Sequence, residues 1–377
     1  PPPSPLPYQA PRFDLIKESA SRPAFEQGMA EQAAEIAHIA QNPEAPTFDN
    51  TIAALERSGR LLDRVSQTFN GVYSANTSAT LDKVQEIVGP QLAAHADSIY
   101  MNPQLFARVQ FLHARQDGLG LDAEQKQVLT VYYQNFVHSG AQLSDTDKDK
   151  LRDINTRLSK LETLFQQKLL AGTKAAALVV ADKAQLAGLD SAGLNNAQEA
   201  AKGRKLEGKW LLPLQNTTQQ PALSSLTDRQ TRHALFDTSW NRSEQGGEND
   251  TRDTIATLAY LRAQKAALFG YPNYASYALA DQMAKTPEQA QAFMAHLTPA
   301  LAAEQQREKA ELQTVIDQES KKRPNPALPY NRGTGPITPT NYASRSLILM
   351  KARSNLISSL TVCCKMVCFL PPTHFMA

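Results

Sequence analysis

A chain of 377 residues is long enough to bury one large core or two ordinary ones. Its 39 Lys and Arg against 37 Asp and Glu leave a net charge of +2, with no basic stripe interleaved with aromatics, which argues against nucleic acid or an anionic membrane as a partner. No apolar run reaches the roughly 18 residues that a membrane-spanning helix needs, and cysteine is absent before Cys363, as fits a reducing compartment.

The opening, "PPPSPLPYQAPRFD", has no initiator Met and no basic stretch followed by an apolar one. It reads as an extended Pro-rich arm over residues 1–22 rather than an intact signal peptide. From Pro23 the pattern is helical. Phe25, Met29, Ala33, Ile36 and Ala40 recur at spacings of three and four, and Asn42-Pro43 closes the segment. Phe48, Ile52, Leu55, Leu62, Val65, Phe69 and Val72 form a second stripe. Leu81, Val84, Val88, Leu92 and Ile99 form a third. Asp122, three before Gln125, is positioned to cap the helix that follows. The clearest helix is "SDTDKDKLRDINTRLSKLETLFQQKLL", with Leu151, Ile154, Leu158, Leu161, Phe165 and Leu169 on one face.

Between Leu178 and Leu226 the periodicity changes. "ALVVADK" is β-branched, and "KWLLPLQNTTQQPALSSL" reads as a strand, a polar turn, then a strand or helix start. A small antiparallel strand pair is expected inside 175–226, within an otherwise helical protein. Helix resumes with Ile255, Leu258, Leu261 and Leu268. Thr286-Pro287-Glu288-Gln289 is a compact helix start, and that helix should run through Phe293 and Leu297 to about Ser320. No fixed repeat is present. The fold class is mainly α with one small antiparallel strand element.

The residues offer little chemistry of their own. Seven histidines occur: His38, His95, His113, His138, His233, His296 and His374. None is followed by Glu, so the zinc-peptidase motif H-E-x-x-H is absent from these 377 residues. G-x-S-x-G, a phosphate loop and a dinucleotide fingerprint are absent too. Arg229, Arg232, Arg242, Arg252 and Arg262 crowd one stretch. They read as surface ion pairs with Asp228, Asp237, Glu248, Asp250 or Asp253; the sharper alternative is a positive lip for peptide carboxylates. Cys363 and Cys364 are adjacent and Cys368 follows, a spacing without strong precedent as a metal clip, with only His374 nearby.

Three blocks carry a resemblance: "KWLLPLQNTTQQPAL", "DRQTRHALFDTSWNRSEQGGENDT" and "LRAQKAALFGYPNYASYALADQMAKTPEQAQAFM". With "LPYQAPRFD", "RPAFEQGM" and "NTIAALERSG" earlier, they resemble the zinc oligopeptidase family of thimet oligopeptidase and neurolysin, and within it the peptidyl-dipeptidase branch. The resemblance covers about residues 5 to 330. It implies the helical N-terminal lobe of a two-lobed peptidase whose channel admits short unfolded peptides. It also implies a zinc held by H-E-x-x-H and a later Glu, which activates water to release C-terminal dipeptides. Those residues belong to the family's C-terminal half. None matches here, so no catalytic, cofactor-binding or metal residue is assigned, no zinc is expected in this chain, and the chain alone is expected to be inactive. The expected compartment is the cytoplasm, with the periplasm as the alternative; oligomeric state is not readable.

The tail differs in kind. After Glu319 there is no Asp or Glu in 58 residues, against 37 in the preceding 319. Shifting the frame by a constant offset turns "TVCCKMVCFLPP" into S-V-L-Q-D-G-V-F-F-A-A, and "SLILMK" into K-F-D-L-D-E. This recovered text is charged and aromatic, like a continuation of the same family. The reading is therefore an arm over 1–22, a helical lobe over 23–326, and an out-of-frame tail over 327–377 in which the cysteines have no role. Two rivals stand beside it: a non-catalytic helical peptide-binding or scaffold protein, and a metalloprotein that uses the tail cysteines.

Overall fold

The computed structural model describes residues 4–321. The expectations for 327–377, including His374 and the three cysteines, lie outside the described residues. The chain divides into two compact units. One comprises the chain up to Leu164 and returns at Ala256–Asp281; the other comprises Phe165–Ile255 and the chain from Gln282.

In the first unit, the described residues up to Ala20 are mostly exposed, with two short 3-10 turns at Pro7–Gln9 and Glu18–Ala20. Helix α1 (Ser21–Ala40) places Pro23 in its first turn, where a missing N–H costs nothing. The second apolar stripe is broken, contrary to its even spacing. It divides into a π-helical turn (Phe48–Ile52), α2 (Ala53–Arg57) and α3 (Arg60–Ala75). The break falls at Gly59, which holds φ +71, a left-handed conformation that other residues adopt at a cost. There follow α4 (Ala79–Tyr100), α5 (Pro103–His113) and α6 (Ala123–His138), and then α7 (Asp145–Ala175). Asp122 and Gln125 form the reciprocal cap expected of them: Gln125 N–H donates to Asp122 at 2.8 Å, and Asp122 N–H donates to Gln125 at 3.2 Å.

Two apolar clusters lie among the described residues of this unit. Phe25, Leu62, Phe69, Leu81, Val84 and Val88 join α1, α3 and α4, with the Phe25 and Phe69 rings edge to face at 5.3 Å. Ile39, Ile52, Leu105, Val109, Leu129 and Phe136 form the second with their neighbours. Arg108, only 7% exposed, pins the turn between α1 and α2. Its guanidinium donates to the carbonyls of Asn42 (2.9 Å) and Glu44 (3.1 Å), to Asn50 Oδ1 (2.9 Å) and to Thr51 Oγ1 (3.2 Å). A buried cation is tolerated because its donors are satisfied.

The second unit contains the expected strand pair. Strand β1 (Leu178–Val180) pairs antiparallel with β2 (Trp210–Leu212), setting Leu178 opposite Leu212 and Val180 opposite Trp210. Helix α8 (Ser191–Lys202) lies between them in sequence. Of the two readings open for "LQNTTQQPALSSL", helix is realised, as α9 (Asn216–Ser225). Val180, Leu186, Leu212, Leu226 and Leu235 form the core, the last from α10 (Arg229–Trp240). Helix α11 (Arg252–Leu268) starts in this unit, but from Ala256 it belongs to the first, as does all of α12 (Tyr274–Leu279). Helix α13 (Pro287–Lys321) starts at Thr286, whose hydroxyl accepts the Gln289 N–H at 3.3 Å.

Gly28 sets the approach of α1 to α3. A Cβ there would lie 2.9 Å from Leu62 Cα and 3.0 Å from Leu62 N, both backbone atoms, whereas one at Gly71 would meet nothing within 4 Å. Overpacking of this kind costs about 1–3 kcal/mol, against a helix-propensity gain of about 1 kcal/mol. Gly28→Ala should therefore lower the urea midpoint followed by circular dichroism, while Gly71→Ala should leave it unchanged or raise it. Equal effects would show that the α1–α3 contact does not need glycine.

Candidate functional site

The most highly organised polar group lies in the first unit, where α4, α7 and α11 meet. Along α11 the buried positions include Thr254, Leu258, Leu261 and Ala266. Arg262 and Lys265 fall in phase with them, so two cations are carried inside. Arg262, 2% exposed, donates to Glu162 Oε1 at 2.8 Å, and its guanidinium sits 5.3 Å from the centre of the Tyr274 ring. Lys265 donates to Asn155 Oδ1 at 2.9 Å, and Asn155 Nδ2 donates to Asp97 Oδ1 at 2.7 Å. Asp97 Oδ2 is buried without a hydrogen-bond partner.

Burial dominates the proton affinities here. It pushes the Asp97 carboxyl up to about 6, against the hydrogen bond from Asn155 and the charges of Lys265 and Arg152. Lys265 is half-buried, and burial lowers its pKa, opposed by Asp97 and Glu162. The same unit stacks His138 on Tyr277 at 3.9 Å, with the Tyr277 hydroxyl donating to the His138 carbonyl at 2.9 Å. Perturbed acid–base groups often mark reaction centres. Here none of Asp97, Lys265, His138 and Tyr277 lines the cavity formed by α1 to α4 and α6. The network is a tertiary lock that fixes α11 and α12 against α4, α6 and α7.

The arginine stretch does not form one lip. Arg232 is buried, donating to the Leu226 carbonyl at 2.6 Å, and Arg262 is buried as described. Arg252 is exposed and pairs with Asp250 at 2.6 Å, which holds that carboxyl well below the usual range. Asp228 caps α10 through Thr231, and Asp237 takes His233 at 2.8 Å. Surface pairing is thus realised at Arg252, while Arg232 and Arg262 are too buried to face a peptide. His38 and His296 are exposed on α1 and α13, and His113 stacks on Tyr133 at 4.0 Å. Among the described residues no group of three or more His, Cys, Asp or Glu is arranged to hold a metal ion. No described helix is long and apolar enough to cross a membrane.

Comparison with known sequences supplies what the geometry does not. The sequence model of peptidase family M3 matches residues 222–332. The chain is 48% identical over 316 residues to a dipeptidyl carboxypeptidase of Escherichia coli (strain K12), covering 84% of this chain and 46% of that protein. It is 46% identical over 314 residues to a dipeptidyl carboxypeptidase of Salmonella typhimurium, covering 83% and 46%. Oligopeptidase A of Haemophilus influenzae is 24% identical over 313 residues, covering 82% and 46%. The chain spans just under half the length of these curated relatives.

The raised Asp97 pKa has a signed consequence. A carboxyl raised in the fold contributes stability below its unfolded pKa near 4, and this is lost as pH rises through about 6. Asp97→Asn should match the parent at pH 4 and exceed it by about 1–2 kcal/mol at pH 7.5. Chemical denaturation at both pH values checks this; a parent more stable than the variant at pH 7.5 would refute it.

Proposed function

This chain belongs to peptidase family M3, and from that premise we propose that its residues are the helical, peptide-admitting part of a dipeptidyl carboxypeptidase. The observation that carries the reading is the 48% identity to such an enzyme, sustained over 84% of the chain. The mainly helical architecture agrees with it. The substrates are short unfolded peptides, from which C-terminal dipeptides are released by hydrolysis, and the compartment is the cytoplasm.

In that reaction a bound zinc lowers the pKa of its water and polarises the scissile carbonyl. The described residues do not fit such a site: they bring no three suitable ligands together, and the whole sequence has no H-E-x-x-H. No step is therefore routed through these residues. Their part is to shape and exclude: packed helices wall off a space that folded proteins cannot enter. By themselves these 377 residues are expected to be inactive.

The tail belongs to the same proposal. The match to the family model stops at residue 332, close to where the acids cease, and this supports an out-of-frame reading of 327–377. Determining the coding sequence tests it directly. A single-base change near codon 328 should restore continuous similarity to the family; similarity in the present frame beyond residue 332 would refute it.

The activity test is an N-blocked tripeptide assayed with and without chelator, with the E. coli relative as positive control. The expected result is chelator-sensitive release of the C-terminal dipeptide by the control and none by the 377-residue chain. Chelator-sensitive cleavage by this chain alone would overturn the proposal that its residues lack the reaction centre.

A further inference from the structure

The first unit holds a cavity of about 270 Å³, bounded by α1, α2, α3, α4 and α6. The proposed peptide hydrolysis makes no use of it. Most of its wall is apolar: Ile36, Leu55, Leu62, Leu92, Ile99 and Phe136. Tyr100 and Phe136 meet edge to face at 5.1 Å and supply an aromatic corner. An apolar cavity of about 150 Å³ is enough for a benzene ring, so this one has room for a ring with a short chain.

The polar side of the lining is uncharged. Gln32 Oε1 and His95 Nε2 lie 2.7 Å apart. An amide oxygen only accepts, so the ring donates from Nε2 and keeps Nδ1 as an acceptor, while the Gln32 amide also carries N–H donors. Burial lowers the pKa of His95, so the imidazole is neutral at physiological pH. The Ser58 hydroxyl is spent on the Leu55 carbonyl at 2.8 Å, and Tyr100 and Tyr132 add phenols. None of the described lining residues is Asp, Glu, Lys or Arg. Charges of both signs stand nearby in sequence: Glu31, Glu35, Glu56 and Asp63 with Arg57, Arg60 and Arg64, all exposed, and Asp97, which accepts from Asn155. None of these lines the cavity. A charged ligand would give up hydration without meeting a counter-charge inside. A hydroxyl can give one hydrogen bond and take another at Gln32 and His95.

We propose that this cavity is a binding site for a small neutral arylalkanol, with its ring against the apolar wall beside Phe136 and its hydroxyl at the Gln32–His95 pair. A ligand of about ten heavy atoms binds at best modestly, with Kd on the order of 1 mM.

The probe is 3-phenylpropan-1-ol, titrated into the full 377-residue chain while the His95 imidazole signals are followed by NMR. A saturable shift is expected. 3-Phenylpropylamine and 3-phenylpropionate keep the ring and chain but carry a cation or an anion, and each should bind at least about tenfold more weakly. Gln32→Leu removes one hydrogen-bonding partner and should weaken binding of the alcohol about fivefold. Ala96→Phe, at an exposed position of the lining, should abolish the shift. The three probes are compared on the parent chain, so the proposal stays testable even where a variant fails to fold. No saturable shift at roughly ten times the expected Kd, binding of either ion as tight as that of the alcohol, or unchanged binding in folded Gln32→Leu or Ala96→Phe would each overturn the proposal.

Discussion

Two cations on one helix face govern the architecture of the first unit. Arg262 and Lys265 point inward from α11, and a charge taken out of water without a partner costs several kcal/mol. Their partners are remote in sequence: Glu162 lies 100 residues before Arg262, and Asn155 lies 110 before Lys265. The segment Ala256–Asp281 is thereby drawn back onto helices made far earlier in the chain. Tyr277 adds a third tie, to the His138 carbonyl 139 residues upstream. Such a network adds less stability than an apolar core of equal volume would. What it adds is specificity: other packings of α11 and α12 would strand a buried charge.

That constraint suits the role proposed for these residues, which is to present walls. A channel for unfolded peptides needs helices held in fixed relation, and deep ion pairs oppose slippage better than interchangeable leucines do. The orphan oxygen of Asp97 shows the limit of this device, because the third helix is held by a carboxyl that burial has made a weak acid. The reaction chemistry assigned to the family is separate from this scaffold. It requires ligands that the described residues do not bring together, and it places no demand on the lock.

Local signals in the sequence were sufficient for local structure. The caps at Asp122 and Thr286, the long stripe of α7 and the β-branched run at Val179 and Val180 each rest on neighbouring residues, and each is realised. Two features were not readable by spacing. The stripe from Phe48 to Val72 is evenly periodic, yet the chain breaks at Gly59 because a left-handed residue there redirects α3. The strand pair is closed across α8, a connection set by tertiary packing. The arginines misled for the opposite reason. Their density suggested a surface, whereas the informative property was phase: Arg262 lies four residues after Leu258 and shares its buried side. The peptidase assignment was reached through long blocks of resemblance, since no titratable cluster pointed to it.

The account turns on whether these residues carry a metal site of their own. The most direct measurement is the zinc content of the purified 377-residue chain after dialysis against metal-free buffer. The account predicts zinc far below one equivalent per chain, unchanged by Cys363→Ser. One tightly held zinc per chain would contradict it, and loss of that zinc in the cysteine variant would assign the metal to the tail.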